Sequence, residues 1–547
     1  MEESPRKISL LRGTSVVASM TVLSRVFGFV RDLFIARLFG AGVLADAFFV
    51  AFRIPNLLRS LAAEGALTSA FVPVFSSELE KGLEPARKTL AATSTLITQI
   101  VATITILGIY FAPEIVSLIA PGFTSHPEQF EITVLLSRIM LPYILFISLI
   151  SMCNGALNSV SVFGASAIAQ IVVNIALIIG AITAGFYEKT LAVVILACSV
   201  PLGGFFALVS QYPLLKKARL LVIPSLKSIN NSTLEILKLM LPAVLGAAIY
   251  QLGIFLNTAL ASVLDVGSVS WLFYADRIIQ LPIGIFTVAL ASVLLPALSR
   301  ANASDNQQDF LKSMNDSLRY TGFIIIPISF GLYFFSEPIV RIVFQRGEFT
   351  ELDSLMTAIS IKAYCFGLWA VSIHSMLVRS FLAKKDTLTP TIIGAISLCV
   401  GFTGSVLIMG EPVRDEGWIS QIVTQIHLLF PTLVLNFKHV GLALGSIFYS
   451  FTALILSAAI LMVRIPDLRF SQFIISSLRS CFAAFIMYVI LDFLFDINSL
   501  SLITLILAVI SGAIFYILAS FCLFSPELKE TSNKILGLLK AKKQINL

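Results

Sequence analysis

Charge is what this sequence has least of. Of its 547 residues only 13% are Asp, Glu, Lys or Arg, while 57% are hydrophobic and the mean hydropathy is +0.94. A soluble protein carries about 25% charged residues, so a soluble globular enzyme is excluded. Apolar runs of about 20 residues, the length needed to cross a bilayer, recur from end to end, which also excludes a single anchored domain. Histidine is scarce, with four in the chain, and the six cysteines (Cys153, Cys198, Cys365, Cys399, Cys481 and Cys522) stand singly in apolar stretches. No pair has metal or redox spacing, and they read as small buried hydrophobes. HExxH, Walker and GxSxG motifs are all missing. The residues therefore point to no enzyme, metal or cofactor. The net charge of +7 lies in short loops between apolar runs. There it serves membrane topology, and no nucleic-acid partner is expected. Nor is a cleavable signal. Arg6, Lys7 and Arg12 precede a first apolar run that is long, charged and without a small-residue cleavage site, so it reads as a retained helix.

What is present is an all-α polytopic membrane protein with about fourteen transmembrane helices. They are expected near 14–39, 46–77, 89–112, 131–157, 163–185, 190–214, 234–262, 268–298, 318–336, 355–383, 388–410, 440–463, 472–494 and 499–523. The loops alternate in charge. Lys81, Arg87 and Lys88, then Lys216, Lys217, Arg219 and Lys227, then Arg300, Lys312 and Arg319 lie on one side, with Lys384, Lys385, Arg464, Arg469 and the Lys-rich tail after Lys529. The intervening loops hold roughly a quarter as many bases, which places both termini in the cytoplasm by the positive-inside rule.

An internal repeat runs at an offset of about 225 residues. Ala51-Phe-Arg-Ile54 matches Ala275-Asp-Arg-Ile278, each after an aromatic pair region, Phe48-Phe49 or Phe273-Tyr274, and each before a proline, Pro73 or Pro296. Gly28 and Gly42 match Gly253 and Gly267. Six expected helices per copy make the repeat parallel, an arrangement that builds two-lobed transporters. The expected organisation is an N-lobe over 1–220, a C-lobe over 221–466 and, over 467–547, helices thirteen and fourteen with a basic cytoplasmic tail. Residues 411–439 form an outer-side insertion in the C-lobe. There Trp418, Ile422, Ile426 and Leu429-Phe430 recur at helical spacing, predicting an amphipathic helix on the membrane surface.

Against this apolar background four arginines stand out: Arg25 and Arg31 in the first segment, Arg59 in the second and Arg277 in the eighth. An arginine at the centre of a spanning helix costs about 2.5–3.5 kcal/mol on the mildest scale, so these must face protein or water. A cationic cavity suits an anionic cargo, and the planar guanidinium fork suits phosphate. Two other readings stay open. The arginines could pair with Asp32, Asp46, Glu64 and Asp276 and only lock the fold, or some could snorkel to the interface, as Arg37, Arg53 and Arg59 could. Arg25 and Asp32 are seven residues apart on one helical face; Asp276 and Gln280 are one turn apart. Pro55 predicts a kink in helix two. Phe344-Gln-Arg-Gly-Glu-Phe349 reads as an outer loop, and Lys384-Lys-Asp386 as a cytoplasmic turn.

At these residues the chain resembles the lipid II flippase family, MurJ/MviN, of the multidrug/oligosaccharidyl-lipid/polysaccharide exporter superfamily. The matching stretches are Ser24-Arg-Val-Phe-Gly-Phe-Val-Arg-Asp32, Gly40-Ala-Gly42 with Asp46-Ala-Phe-Phe-Val-Ala-Phe52, and Ile54-Pro-Asn-Leu-Leu-Arg59. They continue with Ala63-Glu-Gly-Ala66, Phe71-Val-Pro73, Tyr274-Ala-Asp-Arg277, Gln280-Leu-Pro-Ile-Gly284 and Phe344-Gln-Arg-Gly347. The resemblance implies two six-helix lobes, a lipid-facing groove formed by the last two helices, and transport of lipid-linked peptidoglycan precursor to the outer leaflet. It implies substrate binding by Arg25, Arg31, Arg59 and Arg277 and a supporting role for Asp46; Asp32, Glu64, Asp276 and Gln280 are expected as further supporting polar residues from their places beside these arginines. Its partners would be lipid II, membrane lipid and proteins of cell-wall synthesis. Two positions depart from the pattern: Gln280 stands where some members carry glutamate, and Asn257 where many carry aspartate, so the resemblance alone does not imply a sodium site at Asn257. The expected mechanism is alternating access, with room for dependence on membrane potential or an ion. The alternatives are an exporter of another polyprenyl-diphosphate-linked oligosaccharide or of a drug, and a non-transporting cell-wall scaffold.

Overall fold

In hydrocarbon every backbone N–H and C=O must be satisfied within the protein, which leaves helices or a closed barrel. This chain takes the helical solution: nineteen α-helices, with short 3-10 and π turns, among the described residues. The structure is a computed structural model that describes residues 5–60, 67–162, 164–223, 231–414, 417–468 and 470–533. Eleven helical spans among them are long and apolar enough to cross a membrane, from Leu83–Tyr110 to Leu502–Cys522. The remaining expected spans, 14–39, 46–77 and 234–262, are helical wherever they are described.

The chain divides into two units. The first comprises Met1–Ser270, Arg346–Phe349 and Pro412–Thr424; the second comprises Trp271–Gln345, Thr350–Glu411 and Gln425–Leu547. The first holds α1 (Pro5–Phe39), α2 (Val43–Leu58), α3 (Thr68–Glu80), α4 (Leu83–Tyr110), α5 (Ala112–Ile119), α6 (Pro127–Met140), α7 (Tyr143–Ser159), α8 (Ala165–Ala184), α9 (Lys189–Lys217) and α10 (Asn231–Ser262). α8 packs on α1 and α9, α2 on α6, and α4 on α7. α10, which the repeat arithmetic assigns to the second lobe, groups here with the first unit. It packs against α3, and Ser232 Oγ donates to Glu78 Oε1 at 2.9 Å. The first half of the 411–439 insertion is built into the same unit: buried Arg414 donates from Nη1 to Gln129 Oε1 at 3.1 Å, and Trp418 Nε1 donates to Leu118 O at 3.1 Å.

The second unit holds most of α11 (Ser268–Pro282), then α12 (Val288–Ala303), α13 (Gln307–Phe344), α14 (Glu351–Ala383), α15 (Leu388–Met409), the end of α16 (Trp418–Leu429), α17 (Lys438–Arg464), α18 (Ser471–Leu494) and α19 (Leu502–Cys522). α13 starts on an Asn306 side-chain cap and α14 on a Thr350–Asp353 capping box, which satisfy otherwise orphaned N–H groups. Leu298, Met314, Leu318, Met376, Leu377 and Ala453 form the centre of one core, joining α12, α13, α14 and α17. Ala483, Ala484, Leu491 and Ala508 form another beneath α18 and α19. Between spans, lipid offers no hydrophobic drive, so close packing through small residues must hold helices together. At Gly445 of α17 a Cβ would lie 1.8 Å from Ser405 Oγ of α15.

Two interruptions stand at matching places in the two repeat copies. The α-helical winding of α2 ends at Leu58 and passes into a π turn at Arg59-Ser60; α11 passes through a π turn, Ile283–Thr287, before α12. Each lies within one turn of a helical proline, Pro55 or Pro282. Pro55 lies inside the α-helical winding of α2, and the winding changes a few residues further on.

Candidate substrate-binding site

Arg31 has the most developed surroundings. It sits on α1, 8% exposed, with Nε and Nη2 donating to Asp32 Oδ1 at 2.9 and 2.7 Å. Nη1 donates to Asn174 Oδ1 of α8 at 3.0 Å, and the guanidinium lies 5.7 Å from the centre of the Phe52 ring. Asn174 is itself held, its Nδ2 donating to Ser24 O at 3.3 Å, and Ser24 Oγ donates to Gln170 Oε1 at 3.3 Å. A buried guanidinium without acceptors would be costly; here charge-assisted bonds and an aromatic face hold it in one orientation. Arg25, on the same helix, is half-buried and has no side-chain partner among the described residues.

Asp32, expected on the same helical face as Arg25, accepts from its immediate neighbour Arg31. Arg59, half-buried at the end of α2, donates from Nε to Asn56 Oδ1 at 3.2 Å. Arg53 does not snorkel: it is half-buried and its Nη1 donates to Thr258 Oγ1 of α10. Arg277, in the second unit, is half-buried and stacks 4.7 Å from the centre of the Phe273 ring. The one-turn spacing of Asp276 and Gln280 does bring them together, with Gln280 Nε2 donating to Asp276 Oδ2 at 2.7 Å.

Asp46 does not pair with any of the four arginines in its hydrogen bonds. Buried in the first turn of α2, it accepts from Gly267 N at 2.7 Å, Ser270 N at 2.9 Å and Ser270 Oγ at 2.5 Å. It caps the start of α11, where N–H groups have no helical acceptor and favour a negative charge. Glu64 lies outside the described residues. Asn257, the other departure from the family pattern, has its Oδ1 buried without a hydrogen bond among the described residues.

Sequence reasoning missed Asn174 and Gln170. They are one turn apart on α8, two amides in a span that is otherwise nearly all apolar. That isolation was a legible signal, but nothing local indicated that α8 lies against α1. Residues 345–349 form a loop as expected, with Arg346, Gly347 and Glu348 exposed, and the loop is tied down: Glu348 N donates to Arg37 O at 3.0 Å and Lys189 Nζ pairs with Glu348 Oε2 at 2.5 Å.

Many apolar helical spans with arginines held inside them define a membrane transporter rather than an enzyme. A solved inward-facing multidrug resistance MATE family transporter of the MOP superfamily has the same fold, with a TM-score of 0.66 over 83% of this chain and 99% of that one at 16% identity. The family model described as lipid II flippase MurJ matches residues 35–512, and the chain belongs to that family. It is 36% identical to the probable lipid II flippase MurJ of Buchnera aphidicola subsp. Schizaphis graminum over 439 residues, 80% of each chain. It is 35% identical to the lipid II flippase MurJ of Burkholderia cenocepacia, covering 70% of this chain and 75% of that one. A solved lipid II flippase MurJ in an inward closed conformation superposes with a TM-score of 0.75 at 26% identity, over 93% of this chain and 98% of that one.

Proposed function

We propose that this flippase carries lipid II from the cytoplasmic to the outer leaflet of the bacterial inner membrane by alternating access, and that Arg25, Arg31, Arg59 and Arg277 receive its diphosphate. The observation that carries the reading is the setting of Arg31. Three of its five N–H groups are bonded, to Asp32 and Asn174, which leaves two donors for an anion while the plane of the fork stays fixed. A pre-oriented fork loses little freedom when it meets phosphate oxygens. Arg25 adds a second cation on the same helix with no competing partner among the described residues.

The supporting residues have separate roles in this reading. Asp32 orients Arg31, Asp46 sets the start of α11, and Asp276 with Gln280 shapes the surroundings of Arg277. The polyprenyl tail stays in lipid, along the groove expected at α18 and α19, where Phe482, Phe485, Leu507 and Ile514 are exposed. Both termini lie in the cytoplasm on the loop-charge pattern. Moving a net charge through the membrane field is worth about 2.3 kcal/mol per 100 mV, so the rate should respond to membrane potential.

The test is flipping of labelled lipid II by protein reconstituted in liposomes, comparing the parent with Arg31→Ala and Arg277→Ala. Both variants are expected to lose flipping while retaining parental elution and melting behaviour. Normal flipping by the folded variants would remove the arginines from the substrate site.

A further inference from the structure

The insertion between α15 and α17 has no place in the transport reading. Its neighbours are both spans: α15 ends at Met409 and α17 begins at Lys438, so the segment leaves and re-enters at one membrane face. Gly410, at φ +82°, turns the chain out of α15, a conformation that favours glycine. The second half of the segment then folds back onto the last turn of that helix. Leu435 N donates to Leu407 O at 2.8 Å, Phe437 N donates to Ile408 O at 3.0 Å, and His427 Nε2 lies 2.9 Å from Val406 O. These bonds hold residues 427–437 at the depth where a span ends, not in the water beyond it.

The side chains presented there are apolar. Leu428 and Leu429 are 73% and 72% exposed, and Phe430, Leu433, Leu435 and Phe437 are exposed as well. α16 does bury one face, through Ile419 and Val423, so it is not simply a helix adrift on a surface; the apolar side left over is the one near its end. No acidic residue occurs between Gly417 and Lys438, and Lys438 is exposed. The exposed apolar surface continues onto the adjoining spans at Ile396 and Val400 of α15 and Phe448 and Ile455 of α17, where the surrounding medium is lipid.

We propose that residues 427–437 form an interfacial anchor, inserting these leucines and phenylalanines at the boundary between headgroups and acyl chains, with Lys438 toward lipid phosphate. The loop-charge pattern assigns that face to the outside. An apolar face with a cationic edge and no carboxylates has the composition that binds the interface of a bilayer. Continuity with lipid-facing surface on both sides favours lipid over a second copy of the chain. This inference does not depend on how lipid II is bound.

The experiment uses full-length protein in liposomes with Phe430→Trp, read as the emission added to that of Trp271, Trp369 and Trp418. The added emission is expected to be blue-shifted and to be quenched by lipids brominated near the headgroup more strongly than by aqueous iodide. Stronger quenching by iodide, with red-shifted emission, would overturn the anchor. So would shielding from both quenchers, the result if a second copy or another protein covers the patch. Leu429→Trp reads the same surface and decides the matter if Phe430→Trp does not reconstitute.

Discussion

Asn174 offers the sharpest test, because two substitutions there separate the charge of the Arg31 site from its support. Arg25, Arg31 and Asp32 leave this stretch of α1 with one net positive charge. Asn174→Asp places a second carboxylate on Arg31 Nη1, where the amide oxygen now sits at 3.0 Å, and cancels that charge. At an effective dielectric near 20, one unit charge about 5 Å from a phosphate is worth about 3 kcal/mol, roughly a hundredfold in affinity. Asn174→Leu keeps the net charge but removes the acceptor. A hydrogen bond to a charged group contributes about 1.5–3 kcal/mol, although polar pairs between membrane helices average nearer 0.6 kcal/mol. The lower figure should govern here, since Asp32 still takes two of the N–H groups. Both variants lose the Asn174 Nδ2 donor to Ser24 O, so both should melt earlier than the parent, and flipping separates them. Asn174→Asp should flip lipid II roughly a hundredfold more slowly at subsaturating substrate, and Asn174→Leu with only a modest loss. Parental flipping by Asn174→Asp would refute the argument that net positive charge beside Arg31 draws the substrate.

Asp46→Ala should destabilise the protein by about 3 kcal/mol or more in thermal melts, because it leaves two buried N–H donors and a hydroxyl without their acceptor, while Asp46→Asn, which keeps an acceptor oxygen, should cost less. Gly445→Val should abolish accumulation of folded protein in membranes, since even a Cβ there would lie 2.7 Å from Ser405 Cα; normal yield would mean that α15 and α17 can separate freely. Bonds from Thr389, with Arg464 alongside, hold the Asp386 carboxyl down at about 2, against an ordinary value near 4. Its folded-state pKa is depressed, so its contribution to stability is complete above about pH 4 and is lost as pH falls toward 2. The melting difference between the parent and Asp386→Asn should accordingly be flat from pH 5 to 8 and vanish in acid.

How much of this was legible before the structure depended on how far apart the interacting residues lie in the chain. The spans announce themselves through composition, and the bilayer admits few alternatives for so apolar a backbone. The Asp276–Gln280 bond followed from helical geometry alone. Asp46 was recognisable as a carboxylate at a helix start, but its acceptor role was not, because Gly267 and Ser270 lie 221 and 224 positions away. Asn174 fails for the same reason: its value to Arg31 exists only once α8 packs on α1. The helix in the 411–439 insertion was visible from its periodicity, but its buried face was not. Trp418, Ile422 and Ile426 suggested one side; Trp418 does touch the protein, at Leu118 O and the Phe255 ring, but the buried apolar residues are Ile419 and Val423, and Ile422 is exposed.

The internal repeat bears on which arginines serve the cargo. Aligned by the repeat, the counterpart of Arg277 is Arg53, not Arg59. The two have diverged in their surroundings: Arg53 donates to the Thr258 hydroxyl, whereas Arg277 lies over the Phe273 ring. The Thr258 bond ties Arg53 to α10, whereas the Arg59 bond to Asn56 Oδ1 stays within the end of α2. Under the proposal Arg59, beside the π turn, is therefore the first copy's cation for the cargo. Such turns displace a side chain from its helical face and recur at functional sites. Under the proposed mechanism, Thr258→Val should release Arg53 and weaken the hold on α10 without lowering the affinity for lipid II, whereas Arg59→Gln should lower affinity and leave the helix packing intact. Equal losses of affinity in both variants would mean that the two arginines act as one group and that the divergence between the repeats has no bearing on the cargo.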